Sequence, residues 1–175
     1  MTGVQTCALP IYKARALGGI GRLSELLRYA LAASSRDSVT VADELAFVRD
    51  YLALQRLRYG TRLHVAITGD DAALDRVACP PLLLQPLVEN ALRHDLDCRP
   101  GDGDITLTFA RAEGCLSIRV SNPASDGVVA NPGAGLGLAN TRARLALLDP
   151  GAALVAGRQG ARFVAEVRLP LEERA

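Results

Sequence analysis

Apolar positions along the chain keep to two periods. From Tyr12 they recur at three and four: in "ARALGGIGRLSELLRYALAAS", Leu17, Ile20, Leu23, Leu27, Ala30 and Leu31 form a helical stripe that calls for a partner helix. After the polar loop "SSRDS" the same period returns in "TVADELAFVRDYLALQRLRYG". Thr40 is placed to cap this second helix, Asp43 and Glu44 suit its positive N-terminal end, and Gly60 can close it. Leu45, Val48, Leu52 and Tyr59 mark its inner face.

The period then drops to two. "RLHVAIT" turns Leu63, Val65 and Ile67 inward and His64 outward. "DITLTFA" buries Ile105, Leu107 and Phe109, "CLSIRV" buries Leu116, Ile118 and Val120, and Glu113-Gly114 between them predicts an antiparallel hairpin. A second hairpin, "AALVAGRQGARFVAEVRLPL", closes around Arg158-Gln159-Gly160 with Phe163, Ala165, Val167 and Leu169 on its core face. Two helices interrupt the strands. "PPLLLQPLVENALRHD" starts at Pro80-Pro81 and is expected to kink or divide at Pro86. "GLANTRARLALLD" turns Leu138, Thr141, Leu145 and Leu148 inward. The stretch "SNPASDGVVANPGAGLGL", Ser121 to Leu138, is too long to be a mere connector.

Composition narrows the function classes. A chain of 175 residues, 49% hydrophobic and 22% charged, suits one main domain with an appendage. A net charge of +1 supplies no electrostatic footprint for nucleic acid, and 4% aromatic residues leave little for base stacking. Cys7, Cys79, Cys98 and Cys115 show no close metal-ligand spacing, with only His64 and His94 to join them, so reduced thiols are expected. No apolar run approaches the ~20 residues that span a bilayer, and a cytosolic location is expected. The opening "TGVQTCALPI" matches, codon for codon, the read-through of a common sequencing-library adapter, so residues 1–11 are expected to be a non-biological scar.

The chemistry lies in two places. In "PPLLLQPLVENALRHD", Leu84, Leu87, Val88 and Ala91 make one apolar stripe, while Glu89, Asn90, Arg93 and His94 gather on the other side. A solvated face with a Glu89–Arg93 pair is one account of them. In "GAGLGL", Gly133 to Leu138, glycines let backbone amides approach an anion just before a helix N-terminus. The run does not follow the first strand of a parallel βαβ unit and lacks a G-K-[ST] ending, so it is neither a dinucleotide fingerprint nor a P-loop.

Taken together, "LLRYAL", "DELAFVRDYLALQRLRYG", "PPLLLQPLVENALRH", "GLGLANTRARL" and "RFVAEVRLPL" resemble LytS-like sensor histidine kinases, within the GHKL (Bergerat-fold) ATPases. The resemblance runs from about Ala14 to Leu171, and Pro86-Leu87-Val88-Glu89-Asn90-Ala91 is its most diagnostic part. It implies an α/β two-layer sandwich: a mixed, largely antiparallel sheet with helices on one face, preceded by a helical segment. Residues 12–60 would be the remnant of a dimerisation and phosphoacceptor region, and 61–175 the ATP-binding domain. Asn90 would give its amide oxygen to Mg²⁺ bridging the phosphates of ATP, with Arg93 and His94 near phosphate or ribose. Gly133, Gly135, Leu136, Gly137, Leu138 and Asn140 would complete the nucleotide site.

Related ATPases hydrolyse with a Glu four residues before the asparagine, where this chain has Pro86. Glu89 is therefore left either tuning the site or pairing with Arg93. The wider superfamily reads adenine with an Asp, where this chain has Asn122 followed by Pro123; an amide oxygen can still accept from the adenine amine. The family's H-F-x-F-N acceptor histidine has no counterpart between Tyr12 and Ser35, so self-phosphorylation is not expected of this chain alone. The resemblance implies a homodimeric parent that passes phosphate from ATP to its own histidine and on to a response-regulator receiver domain. Its rival is a non-catalytic GHKL switch module.

Overall fold

The structure, a computed structural model, describes residues 5–69, 74, 76–112, 114–124 and 134–171. Two helices open it, α1 (Gln5–Ser34) and α2 (Val41–Tyr59). Thr40 caps α2 in a reciprocal box: its hydroxyl accepts from the Asp43 N–H and the Asp43 carboxylate accepts from the Thr40 N–H, both at 3.1 Å. Gly60, at φ 60°, closes the helix as expected. Asp43 and Glu44 lie in the first turn as expected, and Glu44 also sits in the buried row with Val41, Leu45 and Val48. Helix α1 lies on α2 through Leu26 and Ala33, and the Tyr29 ring meets Phe47 at 4.8 Å. Its stripe of Leu17, Ile20, Leu23, Leu27 and Leu31 is left exposed.

Two short strands, β1 (Val39–Thr40) and β3 (Ala78–Cys79), pair antiparallel beside α2. The main sheet contains β2 (Val65–Thr68), β4 (Ile105–Ala112), β5 (Cys115–Pro123), β6 (Ala153–Gln159) and β7 (Arg162–Pro170), in the order β2-β4-β5-β7-β6. β2 runs parallel to β4, and every other pairing is antiparallel. Alternation set this register. Ile118 sits across from Phe109 on one side and Val167 on the other, so one face is apolar throughout. The opposite face carries Thr106, Thr108, Ser117, Arg119 and Arg168. Gly69, after β2, is required as glycine: its φ is 77° and a Cβ there would lie 1.9 Å from the Phe109 carbonyl oxygen.

Helices α3 (Leu84–Leu92) and α4 (Ala134–Leu148) cover the apolar face, with α3 against β5 and α4 against β6 and α3. Leu84, Leu87, Val88 and Ala91 are each at most 1% exposed; fully burying one such leucine is worth about 1.5–3 kcal/mol. α3 begins at Leu84 rather than at Pro80, and it runs through Pro86 without being divided there. In the first turn a backbone N–H has no partner within the helix, so a proline there removes nothing. α4 starts earlier than the sequence suggests, and Gly135, Leu136, Gly137 and Leu138 lie within its first turns rather than before it. Thr141 and Leu145 point inward as expected. Leu148, at the helix end beside an open cleft, is instead 38% exposed.

Candidate functional site

After Leu92 the helix widens into a π-helical turn over Arg93–Asp97. Such turns change which side chains share a face and are common at functional sites. The widened turn is pinned from several sides. Asp95, buried, accepts from Arg99 at 2.7 Å and from the Asp104 N–H at 2.6 Å. Asp97 accepts from Arg58 at 3.0 Å and from the Tyr59 hydroxyl at 2.9 Å, which ties the turn to the end of α2. Arg99 stands at the local i,i+4 spacing from Asp95, whereas Arg58, Tyr59 and the Asp104 N–H lie outside any local pattern.

The four polar residues gathered on one side of this helix by the sequence have four different environments. Asn90 is buried at 8% exposure. Glu89 accepts from the Gln85 amide at 2.7 Å, and no Glu89–Arg93 ion pair forms among the described residues. Arg93 is exposed. His94 is half-buried and stacks on Phe163 with ring centroids 6.4 Å apart. Phe163 pairs in register with Asn122 across β7 and β5, so His94 and Asn122 belong to the same end of the sheet. Asn122 is 1% exposed, and its Nδ2 donates to the Pro123 carbonyl at 3.0 Å, which leaves Oδ1 to accept. The same end is clamped by Arg162, which donates to the Asp104 carboxylate at 2.5 Å, to the Asp104 carbonyl, and to the hydroxyl and carbonyl of Ser121.

The N-terminal turns of α4 lie against the start of α3, since a Cβ on Gly137 would touch Pro86 at 3.7 Å. Leu136 is 64% exposed, Leu138 half-buried and Asn140 exposed. Gly133, and the expected lid over residues 125–133, lie outside the described residues.

Hydrogen-bond bookkeeping singles out one group. The buried polar residues among those described are Glu44, Asn90, Asp95, Asn122 and Thr141. Glu44 accepts from Tyr29, Leu82 and Leu84; Asp95 is paired as above; Thr141 donates to the Gly137 carbonyl at 2.9 Å. Asn122 uses its nitrogen and keeps its oxygen spare. Asn90 makes no side-chain hydrogen bond to any described residue. A buried amide without a partner is costly, about 1–3 kcal/mol, and is found where something else supplies the partner. A spare amide oxygen is a ligand that a hard, oxygen-seeking cation such as Mg²⁺ takes.

A family model described as histidine kinase matches residues 5–63. The chain is 34% identical over 126 residues to sensor histidine kinase YesM of Bacillus subtilis, covering 68% of this chain and 22% of that protein. It is 33% identical over 101 residues to sensor histidine kinase YpdA of Escherichia coli, covering 58% and 18%. It is 32% identical over 101 residues to the sensor protein LytS of Staphylococcus epidermidis, covering 58% and 17%. The chain thus spans about a fifth of the length of these relatives. Among solved structures, the catalytic domain of histidine kinase ThkA is similar with a TM-score of 0.57 at 16% identity, over 76% of this chain and 93% of that one. A mycobacterial sensor histidine kinase, MprB, is similar with a TM-score of 0.51 at 17% identity, over 76% and 95%. The structural likenesses speak for the fold: a mixed sheet with helices on one face, as in histidine kinase catalytic domains. With the sequence matches beside them, the chain belongs to the LytS-like sensor histidine kinases.

Proposed function

We propose that residues 61–175 form the ATP-binding domain of a bacterial two-component sensor kinase, which moves the γ-phosphate of ATP to a histidine and then to a response-regulator receiver domain. Residues 12–60 belong in this reading to its dimerisation and phosphoacceptor region. The observation that carries the proposal is the buried amide of Asn90, which has no side-chain hydrogen-bond partner among the described residues. Asn90 would hold Mg²⁺, and the ion when bound supplies charge neutralisation on the phosphates. Asn122 would accept the adenine amine through its spare Oδ1. Arg93 offers an exposed guanidinium, and His94 a ring fixed by Phe163, to phosphate or ribose. The first turns of α4, with Gly135, Leu136, Gly137 and Leu138, present backbone N–H groups and the positive end of the helix dipole to an anion; Asn140 stands one turn on. Glu89, taken by Gln85, is assigned to shaping α3 rather than to proton transfer. The exposed stripe on α1 is assigned to a second copy of the chain. No helix among the described residues is long and apolar enough to cross a membrane, and we place this segment in the cytosol.

A second reading, a nucleotide-dependent switch without phosphoryl transfer, is favoured by the amide at Asn122, which lacks the charge a carboxylate would bring to the adenine amine.

Asn90→Ala tests the site. Magnesium-dependent ATP affinity is expected to fall roughly tenfold or more. The thermal midpoint should hold or rise, because the substitution deletes an unsatisfied buried group rather than a bond. Unchanged affinity would remove the basis of the assignment. With γ-labelled ATP the chain should stay unlabelled, since His64 and His94 are its only histidines and neither is assigned as acceptor; acid-labile label on either would overturn that part.

A further inference from the structure

The segment that leads into α3 is held by side chains from α2 and α4, and the first of these is held in turn by α1. Glu44 of α2 is fully buried, and its carboxylate accepts from the Leu82 N–H at 2.6 Å and the Leu84 N–H at 3.0 Å. Tyr29 of α1 donates its hydroxyl to the same carboxylate at 2.8 Å. Arg144 of α4 donates to the Pro81 carbonyl. Among the described residues, Leu82 is the non-glycine residue with left-handed backbone, at φ 56°. A leucine keeps that conformation only where its surroundings over-determine it, and such residues gather at functional and switching segments.

Helix capping alone does not explain this arrangement. The usual device is a Ser, Thr, Asp or Asn at the N-cap position, whose side chain reaches the first amides locally. Here the N-cap is Leu83, which offers no such bond. The acceptor comes instead from a different helix, at the expense of burying a carboxyl. Burial pushes the Glu44 carboxyl above the usual carboxylate range, against the lowering pull of its Leu84, Tyr29 and Leu82 donors. A local cap would satisfy the same amides with less desolvation. What it would not do is connect α3 to α1 and α2.

We propose that Glu44 is a positioning residue for the nucleotide site: by joining Tyr29 to the start of α3, it makes the placement of Asn90 depend on how α1 lies on α2. The inference rests on the reading of Asn90 as a magnesium-ATP residue. The outer face of α1 carries the exposed apolar stripe, so a partner seated there can shift α1 and reach Asn90 through Tyr29 and Glu44, without passing through the sheet.

The test compares the chain with Glu44→Gln, Tyr29→Phe, the double variant and Asn90→Ala, using magnesium-ATP affinity and hydrogen exchange at the Leu82 and Leu84 amides. Glu44→Gln keeps the shape but turns one acceptor into a donor that faces an N–H. It should weaken magnesium-ATP about tenfold and speed exchange at both amides by a similar factor, at a temperature where the variant is fully folded. Tyr29→Phe, remote from the site, should weaken ATP about threefold. The double variant should be no worse than Glu44→Gln, because both act through one carboxylate. A purely stabilising cap would lower the thermal midpoint and leave affinity in the folded protein unchanged; that result for Glu44→Gln overturns the proposal. Should Glu44→Gln fail to fold, Tyr29→Phe decides, and unchanged affinity and exchange in it overturn the proposal equally. If Asn90→Ala loses binding while Glu44→Gln does not, the site stands and the coupling falls. If Asn90→Ala binds as before, the site reading falls and the positioning role with it.

Discussion

Replacing Asn122 with aspartate changes a single side-chain group, yet the structure predicts a large and pH-dependent effect. The Asn122 Nδ2 donates to the Pro123 carbonyl at 3.0 Å in surroundings that leave the residue 1% exposed. In the variant an ionised carboxylate oxygen would face that carbonyl oxygen in buried surroundings. The lost bond and the uncompensated buried charge together cost about 3 kcal/mol. For a chain of this size, that lowers the thermal midpoint by about 6–12 °C. The sign of the pH dependence follows from the site. Burial and the facing carbonyl both raise the pKa of the new carboxyl above its unfolded value near ~3.9, so the folded state binds the proton more tightly. Protonated, the group donates to the Pro123 carbonyl and imitates the amide. The penalty therefore grows as pH rises from the unfolded pKa to the folded one, and is complete above the latter.

Scanning calorimetry of the chain and of Asn122→Asp at about pH 5 and pH 8 reads this directly. The deficit in the variant should be clearly larger at the higher pH. An equal deficit at both, or a larger one in acid, would refute the hydrogen-bond assignment. Nucleotide competition supplies a second readout. With Nδ2 held by Pro123, Oδ1 cannot rotate away, and guanine would bring a carbonyl oxygen against an acceptor. ATP should bind the unmodified chain about tenfold more tightly than GTP. Equal affinity would mean that Asn122 does not read the base.

Two further outcomes are expected. Ile20→Lys with Leu27→Lys, at positions 61% and 57% exposed, should reduce concentration-dependent association in sedimentation and leave the thermal midpoint unchanged; a strictly monomeric parent chain would count against the α1 stripe as an interface. Cys98, exposed, should alkylate readily in the native protein while Cys79 resists, because burial, and then the charge of Glu44, push the Cys79 thiol well above its ordinary range; comparable labelling of both would contradict the packing around β3.

What the sequence made legible was local. The Thr40–Asp43 box, the Gly60 stop and the two hairpins each follow from residues a few positions apart. The pairing of β1 with β3 did not, since two-residue strands carry no period. Arg162 reaches from β7 to Asp104, just before β4, and to Ser121 of β5, and nothing near it in sequence announces those partners. Glu44 left a trace: it falls in the helical row with Val41 and Val48, where a charged residue is out of place. Read as a dipole charge it looked ordinary, because the segment it caps lies far along the chain. Pro86 misled for a related reason. A proline's effect depends on its distance from the helix start, and the start was set by the remote carboxylate of Glu44 rather than by Pro80.

In the proposed nucleotide site, "VENALRHD" is divided by depth. Continued α-geometry would stack His94 beside Asn90, one turn on. The π-helical turn over Arg93–Asp97 shifts that relation toward a spacing of five, and Asp95 rather than His94 becomes the fully buried partner along the row. Asp95 then spends both oxygens, on Arg99 and on the Asp104 N–H, so its charge is used up inside the fold. His94 is turned toward Phe163, beside Asn122. The outcome is a separation of roles among near neighbours. The acidic group, which would compete with a nucleotide for its cation and repel its phosphates, is paired off, while the neutral amides of Asn90 and Asn122 keep spare capacity. The proposed site, which would receive a polyanion together with its cation, would need that order.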